Sequence, residues 1–121
     1  PRPRCNMYRD DLVRLRHMID AAQEAIGFSI GRNRKDLDQD RMLVLSLVKS
    51  VEIMGEAAAK ISELFRQKYS TLPWREMVAM RNRLIHGYFD INLDIVWQTV
   101  TVELPPLVAE LETILNEQEK E

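Results

Sequence analysis

The chain has 121 residues, enough for one domain and not for two. Its composition, 45% hydrophobic and 30% charged with 4 Gly and 5 Pro, excludes collagen-like, low-complexity and disordered classes. A single cysteine, Cys5, excludes an internal disulfide framework and a cysteine-based zinc site. No apolar run approaches the roughly 18 residues of a membrane span, and the first residues do not resemble a signal peptide. We therefore expect a cytoplasmic domain with no membrane partner.

The formal net charge of −2 argues against a broad electrostatic surface for nucleic acid. The negative charge is concentrated in residues 101–121, where six acidic residues stand against one lysine. A small basic site elsewhere in the chain remains compatible with this balance.

The N-terminal part predicts an arm followed by a helix. Residues 1–6, Pro-Arg-Pro-Arg-Cys-Asn, indicate an extended arm, native or artificial, ahead of one domain over residues 7–115. Apolar residues then recur at steps of three and four, which predicts a first helix ending between Gly27 and Gly31. The members of this stripe are Tyr8, Leu12, Leu15, Ile19, Ala22 and Ile26.

A second helix is predicted over residues 38–68, with Asp36 or Asp38 as its N-cap. Its apolar stripe comprises Val44, Leu47, Val51, Met54, Ala58, Ile61 and Phe65. Gly55 stands in the middle of this helix at a cost of about 1 kcal/mol relative to alanine. A close approach of another helix would explain a glycine at that point.

Two further helical patterns complete the chain. A third helix is predicted to run from Pro73 to His86, with Thr71 expected as its cap and Gly87 as its C′ residue. A fourth begins at Asn92 or Asp94 and must be kinked or interrupted at Pro105-Pro106. Residues 116–121 indicate a solvated acidic tail. The predicted fold class is all-α, an antiparallel up-down bundle of four main helices.

The stretch Arg81-Asn82-Arg83-Leu84-Ile85-His86-Gly87-Tyr88 concentrates polar chemistry at one helix end. On a continuous helix, Asn82 and His86 share a face, so Asn82 could select the tautomer of the imidazole. Arg81 and His86 are about 140° apart on an ideal helix. They converge only if the helix loosens near Gly87 or if the arginine side chain reaches around.

These groups suit cleavage of RNA without a metal. The RNA 2′-hydroxyl attacks the adjacent phosphorus, an imidazole with a solution pKa of about 6.5 moves the proton, and a guanidinium clamps the phosphate. One imidazole supplies one of the two proton transfers, so this hypothesis favours a two-fold dimer. The structural alternative is that His86 and the arginines are merely cations favoured at a helix C-terminus.

A family resemblance adds to this interpretation. Arg81 and His86, separated by four residues and followed by Gly87-Tyr88, resemble the signature of the HepT-like toxins of the HEPN superfamily. The resemblance extends over most of residues 7–115. It includes three flanking segments, which are Met54-Gly55-Glu56-Ala57-Ala58, Leu72-Pro73-Trp74 and Asp94-Ile95-Val96-Trp97.

The resemblance implies a homodimeric helical bundle acting as a metal-independent endoribonuclease toxin, with RNA as substrate and no cofactor. It implies Arg81 and His86 as catalytic residues, with Asn82, Arg83 and Tyr88 supporting them. It also implies an antitoxin, a nucleotidyltransferase that transfers AMP to Tyr88 and assembles with the toxin, either with the homodimer alone or in a larger hetero-oligomer.

Other features carry alternatives. A non-catalytic alternative is that the same dimer is a nucleotide- or phosphate-binding module that docks a nucleotidyltransferase. The basic run Arg32–Lys35 is ordinarily solvated but could contact an RNA backbone. Glu56 lies on the polar face and is solvated by default, although it could instead face an active cleft or a dimer partner. Trp74 and Trp97 are predicted to be core or interface anchors.

Overall fold

The computed structural model describes residues 8–87 and 90–120. The predicted all-α class is confirmed, because helices dominate and only a minimal two-stranded sheet accompanies them in this part of the chain. The elements in chain order are α1 (Arg9–Ser29), α2 (Asp36–Gln39), α3 (Arg41–Ala59), α4 (Glu63–Lys68), α5 (Trp74–Leu84), β1 (Ile85–His86), β2 (Asp90–Ile91), α6 (Leu93–Gln98), a π-helical segment (Thr99–Glu103) and α7 (Leu104–Glu119).

Helix α1 packs against both α3 and α7, while α3 also packs against α5. The predicted stripe on α1 is largely buried, with Leu15 and Ala22 completely inaccessible to solvent. Within the described residues, no helix is both long enough and apolar enough to cross a membrane.

An aromatic cluster closes one end of the core around the fully buried Phe65. The ring centroid of Phe65 lies 5.3 Å from that of Tyr8, 4.9 Å from that of Tyr69 and 6.3 Å from that of Trp74. The indole Nε1 of Trp74 donates to the Tyr69 carbonyl at 3.0 Å, which satisfies its one polar atom. Trp74 is therefore a core anchor, as predicted.

The predicted single helix over residues 38–68 is wrong, since it is divided into α2, α3 and α4. The first break follows Gln39, where the Asp40 side chain accepts from the Leu43 N–H at 3.1 Å and caps α3. That hydrogen bond, aided by Arg32, holds the pKa of Asp40 below its usual value.

The second break depends on a contact from α1. The buried carboxylate of Asp11 accepts from both the backbone N–H and the hydroxyl of Ser62, each at 2.7 Å. Ser62 in turn caps α4 by accepting from the Phe65 N–H at 3.2 Å. The apolar spacing continues through the break because Ile61 and Phe65 both remain buried, so periodicity alone did not reveal it.

The close approach predicted at Gly55 is confirmed. A Cβ atom built on Gly55 would lie 3.1 Å from the Met77 carbonyl oxygen and 3.3 Å from that of Val78. The obstacle is the backbone of α5, which cannot turn aside as a flexible side chain can. Gly55 thus sets the distance between α3 and α5.

The third helix ends earlier than predicted. Helix α5 stops at Leu84, and the next two residues form β1, which pairs antiparallel with β2 through Ile85 with Ile91 and His86 with Asp90. Gly87 has φ +70°, the left-handed conformation that glycine adopts readily. Its place is therefore in a hairpin turn and not at the C′ position of a helix ending at His86.

The predicted interruption near Pro105-Pro106 takes the form of the π-helical segment that precedes α7. The two prolines occupy the first turn of α7, where their missing N–H groups cost least. Helix α7 then continues to Glu119, although a solvated tail was predicted from residue 116. Buried Gln118 explains the difference, since its amide donates to the Tyr69 hydroxyl at 2.6 Å.

Candidate active site

Arg81 lies near the C-terminal end of α5, on the side that faces α3. Its Nε is 3.7 Å from Oε2 of Glu52, whose other oxygen accepts from Lys49 Nζ at 3.1 Å. Its Nη1 donates to the Asn82 side-chain oxygen at 3.4 Å. Glu52 thus orients a guanidinium whose side chain is still 43% exposed, which leaves N–H donors available to an anion.

A groove of about 340 Å³ runs between α3 and α5 beside this arginine. Small residues contribute to it where the two helices approach closely, and polar side chains surround them. Its lining comprises Glu52, Gly55, Glu56, Ala59, Val78, Arg81 and Asn82. Glu56 is exposed, as predicted, but it is exposed to this groove.

His86 is exposed on β1, and its ring contacts a residue that the sequence analysis did not pair with it. Nε2 of His86 lies 3.5 Å from Nδ2 of Asn92. Asn92 is also the N-cap of α6, because its Oδ1 accepts from the Ile95 N–H at 3.1 Å. Its backbone N–H donates to the Leu84 carbonyl at 2.7 Å.

The predicted pairing of Asn82 with His86 is wrong. The i,i+4 relation holds only on a continuous helix, and α5 ends at Leu84, two residues before the histidine. Nor does a hydrogen bond join Arg81 to His86 among the described residues. The calculated 140° separation no longer applies, because the backbone changes from helix to strand between them. Arg81 thus lies on α5 and His86 on β1, the two elements that meet after Leu84.

Arg83 belongs to a different surface. Its guanidinium donates to both carboxylate oxygens of Glu103, at 3.0 Å and 3.3 Å. These hydrogen bonds and the carboxylate charge raise the pKa of Arg83. Side chains two residues apart on a helix point roughly 200° apart around its axis, so Arg83 points away from the Arg81 groove. The structure does not bring Arg83 together with the other predicted site residues, and Tyr88 lies outside the described residues.

The basic run between α1 and α2 is largely neutralised. Arg32 Nη2 lies 2.5 Å from Asp40 Oδ2. Arg34 lies 2.7 Å from Asp94 on α6 and 3.0 Å from Asp38. The two carboxylates raise the pKa of Arg34 through hydrogen bonds and charge. These ion pairs therefore hold the loop against α6 and occupy the guanidinium groups that could otherwise contact an RNA backbone.

Two site residues, Glu52 and Asn92, were missed by sequence reasoning. Glu52 could have been found, because it lies one turn before Glu56 and close to the glycine that marks where α5 approaches. Asn92 was identified only as a possible helix start, and its contact with His86 depends on a hairpin that the sequence did not predict. Within the described residues, no three His, Cys, Asp or Glu side chains are grouped as metal ligands.

Comparison with known proteins shows the family to which the chain belongs. The model of the family described as ribonuclease HepT-like matches residues 18–114, so the chain belongs to that family.

Individual relatives agree with this assignment. The chain is 36% identical to "Putative RNase TTE0752" of Caldanaerobacter subterraneus subsp. tengcongensis, over 86% of this chain and 93% of the relative. It is 32% identical to "Putative RNase MJ1380" of Methanocaldococcus jannaschii, over 88% and 97%. It is 30% identical to "Probable ribonuclease HepT" of Thermococcus cleftensis, over 88% and 92%. No solved structure matches the chain.

Proposed function

We propose that the protein is an endoribonuclease that cleaves RNA by attack of a 2′-hydroxyl on the adjacent phosphorus, without a metal. The observation that carries the proposal is the arrangement at the end of α5. There an exposed imidazole and a carboxylate-oriented guanidinium flank one helix end, and the guanidinium lines an open groove. Membership of the ribonuclease HepT-like family supports the same activity.

Each group has a defined role in this reaction. His86 takes the proton from the 2′-hydroxyl, the 2′-oxygen bonds to phosphorus, and the bond from phosphorus to the 5′-oxygen breaks. Arg81 hydrogen-bonds the non-bridging phosphate oxygens, on which negative charge builds during the attack. Asn82, on the rim of the same groove, supports substrate binding. The products are a 2′,3′-cyclic phosphate and a free 5′-hydroxyl.

The departing 5′-oxygen needs a proton, and one neutral imidazole that has just acted as a base cannot supply it at the same moment. We propose that a homodimer provides the second histidine, with His86 of a second copy acting as the acid. The exposure of His86 on a short hairpin is compatible with its sharing a cleft between two protomers.

Regulation follows from the same region. We propose that the protein is the toxin of a toxin–antitoxin pair in the cytoplasm. Its antitoxin is a nucleotidyltransferase that transfers AMP to Tyr88 and binds the toxin in a hetero-oligomer. The modification would add a negative phosphodiester and a nucleotide two residues after His86, where it would compete with RNA phosphate for Arg81. Because Arg83 is already paired with Glu103, it is not required for this competition.

RNA cleavage in the presence of EDTA tests the proposal. The purified protein should cleave single-stranded RNA under these conditions and leave cyclic phosphate ends. Arg81→Ala should lower the rate by about 10²-fold or more, because a charge-stabilising donor is lost at the phosphate. Arg75→Ala is the matched control, since it removes an exposed arginine near the other end of the same helix.

Two outcomes would contradict the proposal. One is the absence of RNA cleavage by the unmodified dimer, and the other is an equal rate for the protein and its Arg81→Ala variant. Binding of nucleotide or phosphate without cleavage would instead favour the non-catalytic module that docks a nucleotidyltransferase.

A further inference from the structure

The side chain of Asn92 both caps α6 and contacts His86, and the capping hydrogen bond fixes the orientation of its amide. Its Oδ1 accepts from the Ile95 N–H at 3.1 Å to cap α6. Turning the amide around would place an NH₂ group against that N–H, so that two donors faced each other and the cap was lost. The NH₂ end of Asn92 must therefore be the end that lies 3.5 Å from Nε2 of His86.

The backbone holds both ends of this contact. Asn92 is tied to the end of α5 by its N–H, which donates to the Leu84 carbonyl at 2.7 Å. His86 is held in β1 by its antiparallel pairing with Asp90. The position of the Asn92 amide relative to the imidazole is thus built into the hairpin and does not depend on a substrate.

We propose that Asn92 is a positioning residue that holds the neutral imidazole of His86 with its proton on Nδ1 and its lone pair on Nε2. An amide NH₂ donates hydrogen bonds and cannot accept them. A neutral imidazole can satisfy such a donor only with its unprotonated nitrogen. The α6 cap therefore selects the tautomer, through an amide that it has already oriented.

The catalytic consequence rests on the proposed function. With its lone pair on Nε2, His86 is ready to act as a base at that atom. The RNA 2′-hydroxyl replaces Asn92 as the donor, its O–H bond breaks, and an N–H bond forms at Nε2. A separation of 3.5 Å is at the long limit for a hydrogen bond, so the amide is readily displaced.

The substitution Asn92→Asp tests the inference without removing the cap, because aspartate and asparagine rank equally at the N-cap. One carboxylate oxygen can cap α6 while the other accepts from Nε2, so the proton should move from Nδ1 to Nε2. Asn92→Ser is the control that keeps a capping oxygen and removes the group facing His86. The chain has 2 His, so imidazole ¹⁵N and ¹³C NMR signals are assigned with a single His17→Gln variant.

The spectra are recorded near pH 9, well above the ordinary imidazole value of roughly 6.5. We expect His86 to carry its proton on Nδ1 in the parent protein and on Nε2 in Asn92→Asp, with His17 unchanged in both. Cleavage by Asn92→Asp should fall at least about 10-fold, part of the 10²–10⁴-fold that a general base contributes.

A proton on Nε2 in the parent protein, or the same tautomer in both proteins, would overturn the inference. The NMR result does not depend on RNA. An inactive parent protein with the expected tautomers would therefore count against the proposed function alone. Circular dichroism of both Asn92 variants checks that the helices are retained.

Discussion

His86→Ala should lower the rate of RNA cleavage by about 10²–10⁴-fold, the contribution of a general acid or base. The imidazole stands exposed at the end of α5, and no second histidine of the same chain is available nearby in sequence to replace it. RNA binding should change much less, because Arg81 and the groove between α3 and α5 are left intact. A fluorescent RNA oligonucleotide, used for both single-turnover cleavage and anisotropy, separates the two effects.

His17→Ala is the matched control for this experiment. His17 is exposed on α1 and belongs to a different element from the candidate site. Its removal should leave both cleavage and binding unchanged. Equal activity of the His86→Ala variant and the parent protein, with the helical fold retained, would remove His86 from the mechanism.

Gly55→Val should lower the free energy of unfolding by about 1–3 kcal/mol, the usual effect of forcing extra atoms into a packed interface. Even a single Cβ atom would lie 3.1 Å from the Met77 carbonyl oxygen, so α5 has to move away from α3. The same movement separates Arg81 from Glu52 across the groove. Urea unfolding followed by tryptophan fluorescence, at one fixed protein concentration because a dimer is expected, measures the loss.

Gly27→Val provides the comparison, since a Cβ at this exposed position in α1 meets no atom within 4 Å. The change in its free energy of unfolding should stay below about 0.5 kcal/mol, as for most surface substitutions. Equal destabilisation by the two valines would show that introducing a valine into a helix, and not the α3–α5 contact, accounts for the loss of stability.

Helical periodicity predicted most of the fold, because the buried stripes of α1 and α3 repeat over several turns. It could not locate the break at Ser62, which depends on the Asp11 carboxylate 51 residues earlier in the chain. The apolar spacing passes through that break, so no local signal marks it. The hairpin of β1 and β2 has two residues in each strand and is too short for an alternating pattern.

The part of the candidate site that lies in one continuous segment of the sequence was predictable. Arg81 and His86 stand out by residue type and by their resemblance to a family motif. The partner of His86 did not stand out. A continuous helix would have placed Asn82 beside it, whereas the hairpin places Asn92 there. Likewise, Arg83 is two residues from Arg81, yet its hydrogen bond to Glu103 on the π-helical segment places it on a different surface.

The most direct test of the central claim compares three oligonucleotides of one sequence in EDTA: RNA, DNA, and RNA with 2′-O-methyl groups throughout. If the 2′-hydroxyl is the nucleophile, the protein should cleave the RNA alone and leave a 2′,3′-cyclic phosphate on the upstream fragment. The two analogues lack a free 2′-hydroxyl and should remain intact while still binding. Cleavage of the DNA or the methylated RNA at a comparable rate would contradict the mechanism assigned to His86 and Arg81.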